Sequence, residues 1–181
     1  MTLEPARMIG LIRHPHFPAA ATRGIQVSAA LSARGLSIRY LLDADPRGLA
    51  IPATAAPERV EGLWRHTCFE AFVMGDDAPA YREFNFSPSG AWQAYAFHAY
   101  RRGGPLAAAA TPRIARDAQA ETGLNVLLPA SDLPTGLHLR LGLSAVIEAA
   151  DGSLSYWALR HPPGQPDFHH SDCLALELAR S

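Results

Sequence analysis

Apolar and polar residues alternate along most of this chain, in short runs punctuated by Gly, Pro, Asn and Asp. A period of two, with no sustained period of 3.6, predicts many short antiparallel strands. Gly24–Leu31 and Leu36–Asp43 each put apolar residues on one face: Ile25, Val27, Ala29 and Leu31, then Leu36, Ile38, Tyr40 and Leu42. With Ala33-Arg34-Gly35 between them, they read as a hairpin. Asp45–Arg59 is rich in Pro and Ala and reads as a surface loop. Thr67–Met74, Tyr81–Ser87 and Trp92–Tyr100 follow as three strands of a meander, the last two joined at Pro88-Ser89-Gly90.

Further along, Arg102–Pro112 reads as a loop, Pro112–Ala118 and Leu124–Leu128 as strands, and Ala130–Leu133 as one helical turn capped by Ser131. Leu137–Ile147 sets Leu137, Leu139, Leu141 and Leu143 against His138, Arg140, Gly142 and Ser144, and Asp151-Gly152 turns it into Leu154–His161. The prolines of His161–His170 forbid regular structure, and Cys173–Ala179 closes the chain as a strand. About ten strands in antiparallel hairpins predict an all-β, two-sheet antiparallel β-sandwich formed by residues 1–181 as a single domain.

Composition narrows the function. With 181 residues, 48% of them hydrophobic, the chain can bury a sizeable core. A formal net charge of −1, with no basic run beyond Arg101–Arg102, argues against a nucleic-acid partner. All 16 basic residues are arginine, so lysine nucleophile and Schiff-base chemistry are excluded. No apolar run approaches membrane length and no export leader is evident, which predicts a cytoplasmic protein with no membrane partner. In that compartment Cys68 and Cys173 are expected as reduced, buried thiols.

The acids are the most informative residues. In Thr67–Met74, Phe69, Ala71 and Val73 share one face while Cys68, Glu70, Phe72 and Met74 share the other, so the strand is expected to be central and covered. A carboxylate there costs several kcal/mol unless it is paired or hydrogen-bonded. In the next strand, Phe84 and Phe86 form the core face and Tyr81, Glu83, Asn85 and Ser87 the opposite one. His138 and Arg140 lie opposite the leucines of their strand, so these polar faces together predict a concave sheet surface able to hold a ligand. Two readings stand for the acids: ligand groups, or a structural ion pair of Glu70 or Glu83 with Arg140 or Arg82.

Sugar rings stack their C–H faces on aromatics while their hydroxyls seek carboxylate, amide and guanidinium groups. Trp64, Glu70, Glu83, Asn85, Arg140 and Trp157 supply such groups and are the expected ligand-binding residues. His161, Asp167, His169 and His170 crowd one loop and are the residues that could hold a metal ion, although their spacing matches no established motif. No phosphate-binding glycine loop and no G-x-S-x-G, H-E-x-x-H or C-x-x-C occurs.

The run LWRHTCFEAFV followed by YREFNFSPSGAWQAYAFHAY resembles the DOMON-like proteins of the family 9 carbohydrate-binding module superfamily. The closing YWALRHPPGQPDFHHSDCLALEL is similar to the C-terminus of bacterial DOMON-like proteins. The resemblance spans Gly24 to the end and implies a jelly-roll-like sandwich that binds sugar between two tryptophans, with Trp64 as one platform and Trp157 as the second. It also implies haem as another ligand of such domains, which would require a Met or His pair, and neither Met74 nor His98 matches an established haem motif. The expectation is therefore a non-catalytic carbohydrate-binding sandwich without a cofactor. The alternatives are a metal-dependent enzyme built on the His161–His170 loop and a haem-binding protein.

Overall fold

The computed structural model describes residues 7–107, 109–118, 120 and 122–180. Residues 1–6, where an export leader would begin, lie outside the described residues. In chain order the strands are β1 (Ile9–Gly10), β2 (Ile12–Arg13), β3 (Thr22–Ser32), β4 (Gly35–Ala44), β5 (Cys68–Gly75), β6 (Tyr81–Phe86) and β7 (Trp92–Ala99). They continue with β8 (Arg102–Pro105), β9 (Arg113–Arg116), β10 (Leu124–Pro129), β11 (His138–Glu148), β12 (Leu154–Ala158) and β13 (Leu176–Ala179). No α-helix occurs among the described residues.

Two antiparallel sheets form a sandwich. One runs β1-β3-β4-β10-β9, the other β2-β12-β11-β5-β6-β7-β8, with β13 also paired to β11. Alternation explains what lies between them. Ile25, Val27, Leu36, Ile38, Tyr40 and Leu42 from the smaller sheet meet Phe69, Ala71, Val73, Phe84, Phe86, Leu139, Leu141 and Leu143 from the larger. Each fully buried Leu, Ile or Phe contributes roughly 1.5–3 kcal/mol of transfer free energy. A polar bond crosses this layer where the Tyr40 hydroxyl donates to the Glu70 carbonyl over 2.7 Å, fixing β5 against β4.

The hairpin turn at Gly35 takes φ +133°, and a Cβ there would lie 1.9 Å from the Leu128 carbonyl oxygen, so glycine is required on both counts. β11 is the hub of the larger sheet. One of its edges pairs with β5 from Leu139 to Val146. The other edge is divided: β13 takes His138–Leu141 and β12 takes Ser144–Glu148. Gly142 sits in the gap, where a Cβ would come 3.1 Å from the Cys173 carbonyl oxygen. The chain between β12 and β13 must therefore leave the sheet and return, and it folds over the outer face of the larger sheet.

Several expectations need correction. Arg102–Pro105 is a strand rather than loop, paired with β7 beyond a bulge near His98. Ala130–Asp132 is a 3-10 turn that begins after Pro129 with no side-chain cap, because the Ser131 hydroxyl turns to Asp132 instead. The last segment starts as a 3-10 turn at Ser171–Cys173, and only Leu176–Ala179 pairs as a strand. Two short N-terminal strands, each of two residues, carry too little alternation to be visible in the sequence. Cys68 and Cys173 are both buried and free.

Candidate ligand-binding site

The outer face of the larger sheet is neither solvated nor sealed. Its outward residues come from the same alternation that builds the core: Glu70 and Phe72 on β5, Tyr81, Glu83 and Asn85 on β6, Gln93, Tyr95 and Phe97 on β7, Val146 on β11 and Tyr156 on β12. Cross-strand pairing sets Glu70 opposite Asn85 and Ser144, Phe72 opposite Glu83, and Glu83 opposite Tyr95. Phe72, Tyr81, Val146, Phe168 and Leu174 form a second apolar cluster on this face, beneath the loop that joins β12 to β13. Beside it lies a cavity of about 640 Å³, bounded by aromatic walls from Trp64, Phe72, Tyr95, Phe97, Tyr156 and Phe168 and by the acids Glu61, Glu70 and Glu83. That volume falls within the range of small-molecule sites.

The polar groups have defined settings. Glu83 accepts from the Asn85 side-chain amide over 2.9 Å and lies 3.5 Å from Nε2 of His169. Burial raises its pKa from the ordinary 4.5 to about 7, with the Asn85 hydrogen bond and the Arg101 charge working against that rise. Glu70 is only 3% exposed, and burial together with the nearby Glu83 pushes its pKa well above the ordinary value. Glu61 accepts from the Gln93 amide and from the Tyr95 hydroxyl, both over 2.7 Å. Burial, then the Arg101 charge, lower the pKa of His169 to about 4, so this imidazole is neutral at pH 7. The Tyr81 hydroxyl receives the Arg101 backbone N–H over 3.0 Å and lies 2.9 Å from Nδ1 of His169. The Tyr81 hydroxyl and Nδ1 thus fix the imidazole so that Nε2 faces Glu83.

The loop is carried to this place by its own bonds. Arg101, at φ 54°, donates through its guanidinium to Asp167 over 2.8 Å. The Asp167 carboxylate also accepts from the His169 backbone N–H and from the Tyr100 hydroxyl. Arg140 donates to the carbonyls of Ser171 and Leu174, each over 3.3 Å. The end of β7 and the middle of β11 thus clamp the loop that places Phe168 and His169 in the site.

The expected residues separate accordingly. Trp64, Glu70 and Glu83 all face the cavity. Trp64 stands in a 3-10 turn, Leu63–Arg65, and is 49% exposed, with the Arg65 guanidinium 5.1 Å from its ring. Asn85 is wholly buried and reaches the site only through Glu83, and its own Oδ1 has no partner. Arg140 is a clamp on the loop rather than part of the wall. Trp157 is placed otherwise: it is 4% exposed and belongs to the core between the sheets, its indole N–H donating to the Ser155 hydroxyl over 3.0 Å. Its neighbour Tyr156 has the outward position, because the face of β12 that meets the other sheet is the one bearing Ser155 and Trp157.

The four loop residues expected to hold a metal do not converge. Asp167 serves Arg101, His161 shares its Nε2 with the Ile12 carbonyl, His170 accepts at Nδ1 from the Asp172 N–H, and His169 faces Glu83. Among the described residues no three His, Cys, Asp or Glu side chains are arranged to hold a metal ion. Sequence reasoning missed Glu61, Tyr95, Phe97, Arg101, Tyr156 and Phe168. Alternation along Trp92–Tyr100 already put Tyr95 and Phe97 on the face of Glu83, so these two were legible. Tyr156 lies on the opposite side of its strand from Trp157, where alternation alone does not say which side meets the core, and Glu61, Arg101 and Phe168 arrive from loops that no period describes.

No protein-family model matches the chain. No curated protein matches it significantly. Among solved structures, a crystal structure of a putative carbohydrate-binding protein from Bacteroides uniformis is similar, with a TM-score of 0.63 over 92% of this chain and 83% of that chain, at 14% sequence identity. At that identity the likeness is one of fold.

Proposed function

We propose that this chain is a binding module whose ligand is a sugar-sized, polyhydroxylated molecule held on the outer face of the larger sheet. The observation that carries the reading is the combination in one cavity of about 640 Å³ of aromatic walls with the carboxyl groups of Glu61, Glu70 and Glu83. Aromatic faces receive the C–H faces of a sugar ring, and carboxyl groups accept from its hydroxyls. The half-exposed indole of Trp64 stands at this cavity as a stacking platform. The resemblance of the Leu63–His98 run to DOMON-like proteins of the family 9 carbohydrate-binding module superfamily, and the likeness of fold to a protein described as a putative carbohydrate-binding protein, both support the same reading.

Thermal unfolding of the purified chain against a panel of mono- and oligosaccharides tests it. A ligand present at 100 times its dissociation constant stabilises by about 2.7 kcal/mol, a readily measured rise in midpoint. Trp64→Ala is expected to abolish that rise. A panel without any stabilising sugar, or a rise that Trp64→Ala leaves intact, would count against this site.

A further inference from the structure

The charges around the cavity do not balance. Glu61 is engaged by Gln93 and Tyr95, and the Arg101 guanidinium is engaged by Asp167. His169, the remaining basic group at this face, is held neutral by its burial. Glu83 has an amide donor and that neutral imidazole as neighbours. Glu70, 97% buried and facing the cavity, takes part in none of the ion pairs formed among the described residues. Two buried acids to which no guanidinium is bonded among the described residues, surrounded by ring faces, form a setting that favours a positive guest. Carboxylates answer its charge and the rings' negative faces add to the attraction.

We propose that the ligand brings an ammonium group into this face, as an amine on a sugar-sized ring, seated between Glu70 and Glu83 and against the neighbouring aromatic walls. The inference rests on the carbohydrate reading above and adds the charge of the ligand to it. An uncharged sugar leaves the two acids as they are. A protonated amine supplies the cation that the fold omits.

Isothermal titration of the full chain with glucosamine, glucose, N-acetylglucosamine and cyclohexylamine tests the inference, with Glu70→Gln and Glu83→Gln as variants. Glucosamine is expected to bind roughly tenfold or more tightly than glucose, a difference that N-acetylation removes. Each amide variant is expected to erase most of that preference, lowering glucosamine binding by a larger factor than glucose binding. Equal binding of all three sugars overturns the ammonium seat and leaves the carbohydrate reading intact. Binding of cyclohexylamine without any sugar keeps the seat but sinks the carbohydrate reading on which it was placed. Failure of all four to bind overturns both. The comparison among ligands is made on the unaltered chain, so it stands even if a variant folds poorly.

Discussion

Each sheet of the sandwich buries acid on its outward face, and the two are treated differently. On the smaller sheet, Asp117 receives the Arg39 guanidinium through two hydrogen bonds, of 2.7 and 3.0 Å, and the Asn125 amide at 2.9 Å. That is an acid satisfied by its own protein. On the larger sheet, Glu70 and Glu83 face a cavity where the guanidinium of Arg101 is bonded to Asp167 instead. Desolvation without compensation raises the pKa of both acids, whereas a bidentate arginine favours the charged carboxylate. Of the two readings open for Glu70 and Glu83 in the sequence, the ion pair with Arg140 or Arg82 is not formed among the described residues, whereas the smaller sheet does build such a pair for Asp117. Arg140, considered as a partner for the acids, is spent on the loop carbonyls instead.

The sharpest way to break this contrast is to remove the burden from Glu83. A carboxyl whose pKa is higher in the folded chain binds its proton more tightly there, so folding loses stability as pH rises from the ordinary 4.5 through about 7. Glu83→Gln is therefore expected to stabilise by on the order of 3 kcal/mol at pH 8, with the gain vanishing near pH 4, as read by urea unfolding. His169 works in the opposite sense. Its lowered pKa means stability is lost as pH falls from the ordinary 6.5 through about 4. Between pH 4.5 and 6.5 the slope of His169 opposes that of Glu83, and above 6.5 Glu83 and Glu70, both raised by burial, act in the same direction. A variant no more stable than the parent at pH 8 would remove the contrast.

The same operation on the smaller sheet should go the other way. Arg39→Met strips Asp117 of its cation and is expected to destabilise by about 2 kcal/mol, less than for a fully buried pair because the Arg39 side chain is 33% exposed. Arg140→Ala should cost about 1 kcal/mol in unfolding, the worth of its bonds to two loop carbonyls. It should also weaken any ligand of the cavity although it does not line it, since Phe168 and His169 ride on that loop. The smallest effect is expected of Trp64→Ala, within about 0.5 kcal/mol in stability, since an exposed indole contributes little to folding. Loss of binding by that variant without loss of stability would mark the indole as part of the site.

Much of this arrangement is readable without coordinates, and the unreadable part has a pattern. The faces of β5 and β6 follow from their residues, since Phe69, Ala71, Val73, Phe84 and Phe86 cannot share a side with Glu70 and Glu83. Two residues of one strand separated by an even number must agree in direction. Trp157 shows where the rule stops. Alternation puts Trp157 and Tyr156 on opposite sides, and both are aromatic, so nothing local says which side will meet the other sheet. Asp167 and His169 show the second stop, because a metal-like composition in one loop says nothing about which distant groups will claim each side chain. Arg101 claims one and Glu83 meets the other.

The sequence by itself determined the class of fold, the hairpins and the acids that share a face, because strand direction is a local property with a period of two residues. The tertiary structure decided which of two apolar faces became the core, which loop roofs the other, and whether each buried acid meets a guanidinium or an open cavity. Burial and charge compensation depend on what arrives from elsewhere in the chain, as Phe168 and His169 reach Glu70 and Glu83 only because β12 and β13 share one edge of β11.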